Sequence, residues 1–298
     1  LMSFQAHQEL QAFCESNWNE LEFENPQEIA DYSAELDVCP SAKNAIEQAL
    51  IDLMAKRAQL PLSKLLSNDA SATVETGTLI EDALQARESS GNGFNTLKLK
   101  VGVLSVDEEI KRIHSILASI PVGVRLRLDA NRSLTFDNAL ALLSSLSPSQ
   151  IEFIEEPLLI EDQSRLGELR EQSQIPIALD ESVVDEDALV QALEKQWCDV
   201  VVIKPMMCGG PLQARRYAAL AATYGVDCVF TSSLESIVGR LGTMHVAAAT
   251  PKATCRVSGL NTGILFQRDL APEPKFDSGL FVLSSDAGIG MSRVEGIL

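Results

Sequence analysis

Three lysines and three acids recur at a spacing that could do proton chemistry on a carboxylate substrate. Lys98 and Lys100 stand two residues apart in Leu97-Lys98-Leu99-Lys100. Asp129, Glu155, Asp180 and Lys204 then follow, each about one strand-plus-helix unit after the last. Strand side chains alternate between faces, so both lysines share one face and both leucines the other. Neighbouring ammonium groups disfavour each other's charge, which predicts a lysine usable as a base near neutral pH. Three carboxylates with no His or Cys among them suit Mg²⁺, or Mn²⁺, better than zinc. A substrate carboxylate on such an ion has a more acidic adjacent C–H. One lysine can take that proton, and a second on the opposite side can donate one or stabilise negative charge.

These residues are informative only if the fold brings them together. A single Lys-x-Lys is usually a solvated strand face, and a single Asp at a strand end is usually a helix cap. Five ionisable residues at successive strand ends are harder to explain that way. The strands that must position them are Thr73–Leu79, Thr96–Val101, Val124–Asp129, Ile151–Glu155, Ile177–Leu179, Val200–Ile203, Asp227–Thr231 and Thr254–Val257. Helical patterns lie between them at Val106–Ser119, Leu134–Ser145, Gln163–Gln172, Glu186–Lys195 and Gln213–Tyr224. Strands alternating with helices predict a parallel sheet, and eight of them suit a closed barrel whose C-terminal rim carries the active site. An open doubly wound sheet is the alternative. The first strand, however, runs into Gly77-Thr78-Leu79-Ile80-Glu81 rather than a Gly-rich phosphate turn.

The flanks lack this rhythm. Ser41–Arg57 reads as one helix, and Pro61 begins a new turn. The expected organisation is an N-terminal capping region at 1–72, a (β/α) barrel catalytic domain at 73–266, and a C-terminal segment at 267–298 packing on both. The class is therefore α/β, a (β/α)7β-type TIM-like barrel with a cap built from the N-terminal region and the C-terminal tail.

The chain of 298 residues carries 24 basic and 42 acidic side chains, a net charge of −18. Such a field repels nucleic acid and anionic membranes, so a small carboxylate is the expected partner. Oligomeric state is not readable. Cys14, Cys39, Cys198, Cys208, Cys228 and Cys255 form no CxxC pair, which suits buried, reduced thiols in a cytoplasmic protein. No apolar run approaches membrane-spanning length. His7, His114 and His245 are the three histidines. His114 is expected mid-helix and His245 in packing, so a histidine-based racemase is disfavoured.

The motif order Lys98-x-Lys100, Asp129-Ala130-Asn131, Glu155-Glu156-Pro157, Asp180-Glu181-Ser182 and Lys204-Pro205 resembles the enolase superfamily, in its muconate-lactonising-enzyme-like subgroup. The helix Asn44–Lys56 followed by Leu60-Pro61-Leu62 looks like the end of that family's capping domain. The resemblance implies Asp129, Glu155 and Asp180 as metal ligands, Lys100 as base, Lys204 on the opposite face, Lys98 tuning Lys100, and Asn131 among the substrate contacts. Within the subgroup the turns Thr231–Ser236 and Ser258–Gly263 look most like those of o-succinylbenzoate synthases. That likeness implies dehydration of 2-succinyl-6-hydroxy-2,4-cyclohexadiene-1-carboxylate to 2-succinylbenzoate in menaquinone or phylloquinone biosynthesis. Ser232, Ser233 and Gly259 would then contact the substrate. An N-acylamino acid racemase or dipeptide epimerase on the same scaffold is the alternative, although Ser258–Gly263 lacks the Asp-x-Asp element of a dipeptide epimerase. A non-catalytic barrel is the reading from another class. The family places a small antiparallel sheet ahead of the first capping helices, so a segment upstream of Leu1 is expected to carry it.

Overall fold

The computed structural model describes residues 2–16 and 20–291. Four helices lead: α1 Met2–Cys14, α2 Pro26–Glu35, α3 Pro40–Arg57 and α4 Leu62–Leu66. Then come β1 Thr73–Glu75, β2 Thr78–Ile80, α5 Ala83–Gly91, β3 Thr96–Lys100, α6 Val106–Ser119, β4 Arg125–Asp129, α7 Phe136–Ser144 and β5 Ile151–Glu155. A 3₁₀ turn, Ile160–Arg165, precedes α8 Leu166–Gln172. The chain continues with β6 Ile177–Leu179, α9 Glu186–Glu194, β7 Val200–Ile203, α10 Pro205–Cys208, α11 Pro211–Thr223, β8 Asp227–Phe230 and α12 Ile237–Ala249. It ends in β9 Lys275–Asp277 and β10 Leu280–Val282.

Strands β2 to β8 form a seven-stranded parallel sheet in sequence order. Such strands are covered on both faces and read as continuous apolar runs, as in β7, where Val200–Ile203 are all buried. The helices start by local rules. Asp82, Thr135 and Asp185 accept backbone N–H groups at the starts of α5, α7 and α9. Ser105 and Glu108 cap α6 reciprocally, with three acids in its first turn.

Two of the expected strands come out differently. Thr73–Leu79 is two strands, broken at Thr76-Gly77. A Cβ on Gly77 would lie 2.8 Å from the Thr96 carbonyl, so the chain passes too close to β3 for any other residue. The first half, β1, leaves the barrel and pairs antiparallel with β10, which pairs with β9. The second half, β2, opens the parallel sheet. Thr254–Val257 forms no strand. It closes the ring through single bridges, Cys228 to Cys255 and Thr231 to Gly259 on one side and Thr76 to Ser258 on the other. The Thr254 and Cys255 N–H groups both fold back onto the Pro251 carbonyl, so the segment enters from a turn with too little extended length for a ladder.

The tail, which showed no rhythm in the sequence, is a hairpin. Ser278 at φ +50° and Gly279 at φ +81° turn β9 into β10. Beyond it, Ile289 N–H donates to Asp52 Oδ1 of α3 at 2.7 Å, and Leu62 N–H of α4 donates to the Gly288 carbonyl at 2.7 Å. His245 packs as expected. It is fully buried on α12, its Nδ1 accepts the Ser63 N–H of α4 at 3.1 Å, and burial lowers its pKa to about 4. All six thiols are free. Cys198 and Cys228 are buried, but Cys14 is exposed, against the expectation of burial. Among the described residues no helix is long and apolar enough to cross a membrane.

Candidate active site

The parallel register lines up the functional side chains. Lys100 on β3 is the Cα partner of Asp129 on β4, which is the partner of Glu155 on β5. Glu155 pairs with Ala178 on β6, so Asp180 lies one step beyond that strand's end. Lys204 follows directly after β7. Lys98, Lys100, Asp129, Asn131, Asp180, Lys204, Ser232 and Gly259 all border one cavity of about 420 Å³ at the C-terminal rim. Glu155 lies beneath it, fully buried.

Lys98 Nζ is 2.8 Å from Asp129 Oδ2 and 2.8 Å from each Glu155 oxygen. Lys204 Nζ donates to Asp180 Oδ2. Lys100 carries no ion pair among the described residues and is exposed to the cavity. Burial alone would lower the Lys98 ammonium, but Glu155 and Asp129 more than offset it and hold its pKa above the ordinary lysine value. The expected mutual depression of the two lysines is thus overturned for Lys98, which is pinned as a cation by acids from the next two strands. The Glu155 carboxyl moves up: burial drives it, Lys98 opposes, and Asp129 and Asp180 add like charge.

That surplus of negative charge is what a divalent cation would neutralise, and the donors are all hard carboxylate oxygens. Asp129, Glu155 and Asp180 therefore fit a Mg²⁺-type ion. Among the described residues no three acidic, His or Cys side chains already stand at ligating separation. The Lys98 ammonium bridges Asp129 and Glu155, and the Lys204 ammonium is paired with Asp180.

A supporting layer went unremarked in the sequence. Glu156, buried and at φ +43°, accepts the backbone N–H groups of Asp180 at 2.8 Å and Ser182 at 2.6 Å. It also takes Ser182 Oγ at 2.8 Å and Arg132 Nε at 3.1 Å. It thereby fixes the loop that carries Asp180. Asn131 is turned at φ +41° and donates from Nδ2 to Glu181 Oε1 at 2.9 Å. Thr78 and Asn261, also missed, are joined at 3.0 Å and line the cavity. The Glu-Glu-Pro doublet was the available signal for Glu156. Asn261 falls in the turn Ser258–Gly263 that the sequence singles out, but nothing local marks Thr78, which meets it across the closing seam.

The proposed substrate contacts separate. Ser232 is buried with Oγ 2.6 Å from Thr262 Oγ1, and lines the cavity. Gly259 backs onto Thr231, whose Oγ1 lies 2.8 Å from where a Cβ would be. Ser233 lies instead in an adjoining chamber, its Oγ buried without a partner among the described residues.

Comparison with known proteins points to one family. Residues 79–295 match the family described as "Enolase C-terminal domain-like", and residues 24–67 match "Mandelate racemase / muconate lactonizing enzyme, N-terminal domain". A "Hydrophobic dipeptide epimerase" of Enterococcus faecalis is 34% identical over 72% of this chain and 62% of its own length. This chain thus spans less than two thirds of that relative over the matched region. The solved structure of the dipeptide epimerase from Enterococcus faecalis V583, complexed with Mg and the dipeptide L-Leu-L-Tyr, superposes with a TM-score of 0.85 at 28% identity, covering 97% of this chain and 83% of that one. An "L-Ala-D/L-Glu epimerase" of Clostridium acetobutylicum is 31% identical over 91% of this chain and 78% of its own. An "N-succinyl-L-Arg/Lys racemase" of Bacillus cereus is 27% identical over 87% and 71%. These relatives are isomerases, and they do not support the expected likeness to o-succinylbenzoate synthase. The chain belongs to the enolase superfamily, in its mandelate racemase and muconate-lactonising enzyme group.

Proposed function

We propose that this protein is a racemase or epimerase that inverts the carbon next to the carboxylate of an N-acylated amino acid, a dipeptide being one such compound. The observation that carries this reading is the placement of Lys100 and Lys204. They border one cavity from strands four places apart in the sheet, with the strands of Asp129, Glu155 and Asp180 between them. Two opposed amines suit a reaction in which a proton leaves one face and returns to the other. The isomerase relatives support the same choice over dehydration.

In this reading Asp129, Glu155 and Asp180 hold a Mg²⁺ ion, and Lys98 and Glu156 keep those carboxylates in place. The bound ion supplies positive charge that acidifies the C–H next to a substrate carboxylate. Lys100 takes the proton from one face as its free amine, a role that suits the lysine with no ion pair. Lys204, as the ammonium, delivers a proton to the other face, and the roles exchange for the opposite enantiomer. Asn131, Ser232 and Gly259 bound the space for the rest of the substrate, with Thr78 and Asn261 beside them.

The test is incubation with Mg²⁺ in deuterated water, following loss of the α-proton signal and of optical purity for N-acyl amino acids and dipeptides. Exchange with racemisation is the expected result. Conversion of the cyclohexadiene carboxylate to 2-succinylbenzoate, with no exchange in any amino acid derivative, would return the reading to a dehydratase.

A further inference from the structure

A second chamber of about 450 Å³ adjoins the cavity between the lysines at Lys204. The two share Asp180, Glu181, Lys204, Ser232 and Leu234 as a common wall. Each volume lies within the range of small-molecule sites. Beyond the common wall the chamber turns apolar. Val183 and Val184 come from the loop after β6, Met207 from α10, and Pro40 from the start of cap helix α3.

Val184, Leu234 and Met207 are 68%, 57% and 47% exposed around this one space. Large apolar side chains gathered at one mouth and left in water favour whatever apolar group covers them. The chamber offers a charged guest few free partners: among the described residues, Glu181 Oε2 and Ser233 Oγ are its buried side-chain atoms without one. Burial pushes the Cys208 thiol and the Tyr217 phenol up to about 12, so both walls stay neutral. Asp180 is occupied by Lys204, and Glu181 Oε1 by Asn131. A charged side chain entering would lose its water without gaining a full set of partners.

We propose that this chamber receives the side chain of the substrate, and that this side chain is apolar and of leucine, methionine or phenylalanine size. The proposal rests on the isomerase reading for the identity of the reacting carbon. It adds a substrate class, with Met207, Val184 and Leu234 as the residues that select it.

Two measurements separate this proposal from the reading beneath it. The first is kcat/KM for α-deuterium exchange across the N-acetyl derivatives of leucine, phenylalanine, aspartate and lysine. The second is equilibrium binding of the same four compounds to Mg²⁺-loaded Lys100→Ala protein, which needs no turnover. Leucine and phenylalanine should exceed aspartate and lysine by at least about a hundredfold in the first and in the same order in the second. Met207→Glu should lower the leucine-to-lysine ratio by about tenfold or more. Val184→Asp, a change in an exposed loop, should do the same if the first variant folds poorly. N-acetyl-lysine is the informative competitor, because Glu181 Oε2 is buried without a donor among the described residues. A preference for it, equal handling of all four, or a ratio that neither variant moves would overturn the chamber's role. Absent exchange combined with selective binding of the apolar pair would refute the isomerase reading and still support the chamber.

Discussion

Two charged clusters sit inside the same barrel, and they differ in whether their charges are settled. Toward the floor, Arg127 of β4 meets Glu152 of β5 through two parallel hydrogen bonds of 2.9 and 3.0 Å, with its guanidinium over the Phe153 ring. Arg256 completes the set, 2.8 Å from Asp227 and 3.9 Å from Glu152. Two guanidinium groups answer two carboxylates. The pairing with Arg127 exists because the register slips between Leu126 and Arg127, where Leu126 faces Ile151 and Arg127 faces Phe153. The extra residue is Glu152, a bulge that re-aims its side chain. At the rim, two residues further along the same strand, Asp129 joins Glu155 and Asp180 around two bound ammonium groups. Glu155 there is driven towards its protonated form. A satisfied cluster holds strands together, and an unsatisfied one is ready for a ligand.

If that distinction is right, substitutions should sort by region. The largest effect belongs to the rim lysines. Lys100→Ala should reduce racemisation by about 10³–10⁴-fold, with Mg²⁺ binding by calorimetry retained. At the floor, Arg127→Met leaves Glu152 buried with its bidentate partner gone. It should cost about 3–5 kcal/mol in denaturant unfolding while the folded fraction keeps its Mg²⁺ affinity. A floor variant that instead lost metal binding at unchanged stability would erase the contrast. Asp180→Asn should weaken Mg²⁺ by at least about tenfold to a hundredfold with little change in melting temperature. Unaltered affinity would remove Asp180 from the ligand set.

A further effect, confined to a pH window, comes from a buried acid with no metal role. Glu47 of α3 accepts Ser33 Oγ at 2.5 Å and the Leu212 N–H at 2.6 Å, and burial raises its pKa to about 7. The folded state therefore holds a proton that the unfolded chain gives up near pH 4.5. The stabilisation is complete below that pH and is lost as pH rises through about 7. It amounts to about 3 kcal/mol across that window. Glu47→Gln should melt with less pH dependence there than the parent. Parallel curves for the two proteins would deny the strain.

The chemistry was more legible than the closure. Five site residues were readable because each ends an apolar run and the runs repeat, so period alone placed them on one rim. The split of Thr73–Leu79 was hidden because its cause, the approach of Gly77 to Thr96, is a contact between distant parts of the chain. The eighth strand failed for a related reason. Thr254–Val257 has strand-like residues but only bridge-length contact with its neighbours. The state of Lys98 could not be read either, since its partners Asp129 and Glu155 belong to other strands. The turns Thr231–Ser236 and Ser258–Gly263 suggest a dehydratase by local likeness alone, and the isomerase relatives do not support it. In the fold, Ser233 turns away from the cavity that the other two line.

The opposition of Lys100 and Lys204 is tested most directly by stereospecific exchange in the single-lysine variants. In deuterated water with Mg²⁺, Lys204→Ala should exchange the α-proton of one enantiomer of an N-acyl amino acid without racemising it. Lys100→Ala should do the same to the other enantiomer alone. Exchange of both enantiomers by either variant, or of the same enantiomer by both, would contradict two lysines facing each other across the bound carbon.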